Sequence, residues 1–99
     1  MVKTWKAAEL KIAEKLGGKR AGNTGRMGPD VLHEVYAPEV KTTRSGFPKW
    51  LTSAIAQAVR NAPEGKLPLV VLHRVGDKYD DALVVVRLKD WRDWYGDVD

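Results

Sequence analysis

With 99 residues, a net charge of +4, 43% hydrophobic and 30% charged residues and no cysteine, the chain is sized for one domain, 1–99, with a small core. It has no access to disulfides or thiolate-held metals. No apolar run reaches the length of a membrane span and the first fifteen residues carry no signal-like apolar stretch, so the expectation is a soluble cytoplasmic protein with no membrane partner. The charge is uneven: residues 1–50 hold ten Lys and Arg against five Asp and Glu, while residues 51–99 hold seven against eight. An acidic polymer such as nucleic acid suits the basic half.

Residues 4–16 read as a first helix, with Thr4 as N-cap and Gly17-Gly18 as the stop. At 100° per residue its apolar stripe is Trp5, Ala8, Ile12, Ala13 and Leu16, and Glu9 falls inside it. A carboxylate in such a stripe needs a cation, a metal or a donor, unless it lies at the rim. Residues 17–29 hold five of the nine glycines and the basic side chains Lys19, Arg20 and Arg26. They read as a short strand at 18–21 followed by a loop whose amides and cations suit phosphate.

Residues 30–36 and 38–43 read as a hairpin turning at Tyr36-Ala37-Pro38. Pro48 opens a helix from Lys49 to Arg60, with Trp50, Leu51, Ala54, Ile55, Ala58 and Val59 on its buried face and Ser53, Gln57 and Arg60 on a flank. Strands follow at 69–74 and 81–88 around the turn Gly76-Asp77-Lys78. Their continuous apolar runs predict cover on both faces. A short amphipathic helix carrying Trp91 and Trp94 ends the order αβββαββα, which one mixed sheet flanked by helices satisfies, an α/β (α+β) fold. All four tryptophans read as core.

The chemistry concentrates at Asp30, Glu39 and Lys41. Mg²⁺ takes oxygen ligands and commonly one or two protein carboxylates; Asp30 and Glu39 on hairpin partners supply these, and the carbonyl of Val40 offers a third oxygen. Lys41, two residues from Glu39 and so on its face, can orient a water or offset charge on a phosphate. Glu9 points from its helix toward the same place if that helix packs on the sheet. The bland alternative is a solvated hairpin with a surface ion pair. His33 and His73 read as structural or surface residues, since His33 and Glu34 face opposite ways on a strand, and Glu34 is a reserve acid. No serine has a histidine partner, and there is no P-loop.

Pro29-Asp30, eight residues, then Glu39-Val40-Lys41 resembles the PD-(D/E)xK motif of a nuclease superfamily. With Glu9 on the first helix, the Gly-rich basic loop and Gln57 on the following helix, the layout is most similar to the archaeal-type and phage Holliday junction resolvases, over residues 5 to about 88. The resemblance implies a restriction-endonuclease-like fold and Mg²⁺-dependent hydrolysis of DNA phosphodiesters, with Mn²⁺ as a substitute. It places Glu9, Asp30 and Glu39 about the metal, Lys41 beside the water and Gln57 near the active site. Lys19, Arg20, Thr24, Arg26 and Arg44 are then expected to face DNA, Arg20 and Thr24 matching loop positions set against the phosphate. Two symmetric cuts in a four-way junction imply a C2 homodimer, and a compact resolvase suits a phage. The alternatives are a nuclease for other branched, nicked or duplex DNA, and a non-catalytic nucleic-acid-binding domain.

Overall fold

Helix α1, Thr4–Leu16, spans the predicted residues, in a computed structural model that describes residues 4–22 and 28–95. It stops in a Schellman motif. Gly17 adopts φ 76°, its N–H donates to the carbonyl of Glu14 at 3.2 Å, and the N–H of Gly18 donates to that of Ala13 at 2.9 Å. Two of the last carbonyls are thereby satisfied, and the left-handed step that allows it falls on a residue with no Cβ.

Among the described residues, three helices and two small antiparallel sheets make a mixed α+β fold. It divides into two compact units, residues 1–45 and 46–99. In the first unit, β1 (Lys19–Arg20) pairs with β2 (Val31–Leu32), Lys19 opposite Leu32 and Arg20 opposite Val31. Helix α1 packs on both strands, and the buried centre is Ala13 with Val31. Close approach at the helix end depends on Gly18, where a Cβ would stand 2.4 Å from the Leu32 carbonyl oxygen.

The expected hairpin of 30–36 with 38–43 is not formed as a ladder; β2 pairs with β1 instead. The ladder gains one more bond, from the N–H of Ala21 to the carbonyl of Asp30 at 2.9 Å, while the N–H of Asp30 turns to the carbonyl of Pro38 at 2.9 Å. The chain beyond β2 reverses at 33–36, because Nδ1 of His33 accepts the N–H groups of Val35 and Tyr36 at 3.0 and 3.3 Å and its ring stacks on Tyr36. The strand expected over 38–43 is not formed. Pro38 has no N–H to give a ladder, and the N–H of Val40 goes to a side chain, that of Asp30.

In the second unit, α2 (Lys49–Asn61) starts after Pro48, whose carbonyl accepts the N–H groups of Leu51 and Thr52. It ends at Ala62, held extended before Pro63. Strands β3 (Val70–Leu72) and β4 (Leu83–Val85) pair with Val71 opposite Val84, and α2 packs on β3. A single 3-10 turn, Tyr79–Asp81, lies between them, and α3 covers Leu88–Tyr95.

Several residues expected inside are exposed. Val71 and Val84 share one face of the hairpin and both are exposed, so the apolar runs are not covered on both faces. Trp5, Trp50 and Trp94 are exposed as well. Trp50 sits at the margin of a stripe centred on Leu51 and Ala58. Trp5 lies in the first turn of a helix about 20 Å long, whereas the strands it packs on are two residues each.

Candidate metal and phosphate site

Asp30 joins the two halves of the Pro-Asp and Glu-Val-Lys pattern. Its Oδ2 accepts the N–H of Val40 at 2.7 Å, and its own N–H donates to Pro38 at 2.9 Å. A charged acceptor and a backbone bond thus hold residues 38–40 beside the end of β2, where ladder bonds do not. Because Val40 donates to Oδ2 of Asp30, the direction of the carboxylate is set, and among the described residues its other oxygen has no hydrogen-bond partner.

Lys41 Nζ lies 3.1 Å from Glu39 Oε1, between two exposed side chains. The hydrogen bond with Glu39 and then its charge, with a lesser contribution from the charge of Asp30, hold the Lys41 ammonium above the usual lysine value. Asp30, Glu39 and Lys41 therefore share one electrostatic neighbourhood, and Lys41 is a cation at neutral pH. In that state it can orient a water or balance phosphate charge but does not accept a proton.

Glu9 is engaged elsewhere. Arg20 Nε donates to Glu9 Oε2 at 2.8 Å, with side-chain exposures of 23% and 14%. The carboxylate in the apolar stripe finds its cation on β1, which lies under α1, and so avoids an unpaired charge near the core. Among the described residues no three Asp, Glu, His or Cys side chains form a metal-binding group, so Glu9 is not gathered with Asp30 and Glu39. Two carboxylates and nearby carbonyls still suit Mg²⁺, a hard cation that keeps several waters.

Of the remaining sequence-derived candidates, Lys19 and Arg44 are exposed in the first unit, and Gln57 is exposed on α2 in the second, in keeping with its place on the flank of the apolar stripe. Thr24 and Arg26 lie outside the described residues. Sequence reasoning missed the surroundings of Trp5. Lys6 Nζ and Arg20 Cζ stand 5.4 and 5.9 Å from the centroid of its ring system. The signal was a tryptophan beside a lysine in a first turn, ahead of a basic strand. His33 and His73 have the structural roles expected of them: His33 caps its turn, and Nε2 of His73 lies 2.9 Å from the carbonyl oxygen of Asp77. No helix among the described residues is long and apolar enough to cross a membrane. No family model matches the chain, and neither a curated protein nor a solved structure matches it.

Proposed function

We propose that the chain is a Mg²⁺-dependent, structure-selective DNA endonuclease of the Holliday junction resolvase type, with Mn²⁺ as a substitute metal and the restriction-endonuclease-like fold that this type implies. The observation that carries the reading is the bond from Val40 N–H to Asp30 Oδ2, which joins Pro-Asp to Glu-Val-Lys across ten residues of chain.

Asp30, Glu39 and the carbonyl of Val40 would hold the metal, which when bound acts as a Lewis acid and lowers the pKa of its water. Asp30 keeps its carboxylate aimed through Val40. Lys41, charged and next to Glu39, stabilises negative charge gathering on a phosphate and fixes the orientation of a water. Lys19, Arg20 and Arg44 attract the phosphate backbone, so binding weakens steeply with salt. Two symmetric cuts need two sites, so the reading includes a C2 homodimer. The exposed pair Val71 and Val84 gives such a dimer apolar surface to bury.

The test is incubation with a labelled four-way junction and Mg²⁺. Paired symmetric nicks, lost in Asp30→Asn, are expected. A junction that is bound but uncut in both Mg²⁺ and Mn²⁺ sinks the reading, and equal cutting of linear duplex reassigns the substrate to other DNA. A second reading, a non-catalytic nucleic-acid-binding domain, is favoured by a specific observation: Glu9 and Glu39 already have cationic partners in Arg20 and Lys41. It predicts that Asp30→Asn leaves DNA affinity unchanged and that Mg²⁺ does not alter thermal stability.

A further inference from the structure

We propose that the surface around Trp5 is a nucleotide-anchoring site, in which Trp5 stacks an unpaired base and Arg20, steadied by Glu9, takes the adjoining phosphate. The inference rests on the nucleic-acid reading above and adds to it a residue and a substrate feature, a base outside a paired stack.

Trp5 is 43% exposed in the first turn of α1. A lone exposed apolar residue means little. Here, however, two cations, Lys6 and Arg20, lie within 6 Å of its ring centroid, and Lys19 precedes Arg20 on β1. A half-exposed aromatic ring with two cations over it matches a ligand that is itself planar and anionic, whose base takes the place of the flexible Lys6 ammonium. Base stacking on aromatic side chains, combined with cations that follow the backbone, is how single strands are held without regard to sequence.

The geometry of Arg20 supports the same ligand. It engages Glu9 through Nε, and among the described residues Nη1 and Nη2 have no acceptor. The guanidinium is therefore oriented by its inner edge, and its outer edge keeps donors in the fork that fits a phosphate oxygen pair. Glu9, part-buried, acts on this site as a positioning residue, restricting the rotamers of Arg20 before a ligand arrives. A fully paired duplex presents phosphates to Arg20 but hides its bases from Trp5, so the site favours single-stranded or branch-point nucleotides.

The experiment measures fluorescence polarisation of labelled oligo-dT and of a perfectly paired duplex of equal length, in EDTA so that nothing is cut. Trp5→Leu is expected to lose between about fivefold and a hundredfold on oligo-dT and to hold duplex affinity to within about twofold, with Trp5→Phe retaining most oligo-dT binding. Arg20→Gln should weaken both DNAs and reduce the salt slope by about one. Oligo-dT affinity unchanged in a folded Trp5→Leu, or an equal loss on both DNAs, overturns the proposal. Independently of any variant, photocrosslinking of 5-iodouridine oligonucleotide to the natural chain should map to Trp5 by mass spectrometry, and crosslinks confined to Trp50 or Trp94 overturn it. A chain that binds neither DNA removes the nuclease reading as well. A chain that cuts junctions and ignores the change at Trp5 removes the stacking site alone.

Discussion

Arg20 and Glu9 meet through a single 2.8 Å bond from Nε to Oε2, joining strand β1 to helix α1 where both side chains are largely shielded from water. Removing one partner strands the other, so Arg20→Gln should cost about 1–3 kcal/mol in urea unfolding. The double variant Glu9→Gln, Arg20→Gln should cost less than the sum of the two single changes, since each single change already breaks the same bond.

Asp30 has two separable duties. In Asp30→Asn the side chain retains an oxygen that can accept the N–H of Val40, so folding should persist with a loss under about 1 kcal/mol. Asp30→Ala leaves that N–H without its acceptor and should cost about 1–2 kcal/mol. If the carboxylate also binds metal, millimolar Mg²⁺ or Mn²⁺ raises the melting temperature of the natural chain and leaves that of Asp30→Asn unmoved. Differential scanning fluorimetry reads all three.

Lys41 is held above the ordinary lysine value by Glu39 and Asp30. A raised value means the contact is fully present below the unfolded lysine pKa and is lost as pH rises through the higher folded one. Between pH about 7 and 9.5 the ammonium stays charged, so under the proposed nuclease function cleavage should show no step in that range from its deprotonation. Lys41→Arg should retain part of the activity and Lys41→Gln should lose it, as a pH–rate profile of single-turnover cleavage checks.

Gly17 and Gly18 differ in what they tolerate. Gly17 has positive φ with open space around it, so Gly17→Ala should cost about 1 kcal/mol of backbone strain. At Gly18 a Cβ would meet the Leu32 carbonyl oxygen at 2.4 Å and Val31 Cγ1 at 2.9 Å. Backbone must move, and Gly18→Ala should cost above about 2 kcal/mol. Urea midpoints of the two variants give the order.

Asp90, in the first turn of α3, is held below the usual aspartate value by its hydrogen bond from Arg87, with the charges of Arg87 and Lys89 adding to it. A lowered value contributes stability above the unfolded aspartate pKa, and that stability is lost as pH falls through the folded one. Asp90→Asn should therefore lower the melting temperature at neutral pH, and its deficit relative to the natural chain should shrink below pH about 4.

Much of the secondary structure was legible because it depends on neighbours in the chain. The bounds of α1 follow from an apolar stripe ending at two glycines, and those of α2 from Pro48 before it and Pro63 after it; local sterics and helix periodicity decide both. The candidate acids and Lys41 were legible in the same way, as residue types at a spacing. Which charges meet was decided only by tertiary structure. Glu9 required a partner by its place in the stripe, but that the partner is Arg20 depends on β1 lying under α1. Residues 38–43 read as the second arm of a hairpin, yet His33 turns the chain early and Asp30 takes the N–H of Val40. Side chains that capture backbone donors leave no periodic trace in sequence. The exposure of Trp5 belongs to the same class: periodicity assigns a residue to a face, and only tertiary packing decides how much of that face is covered.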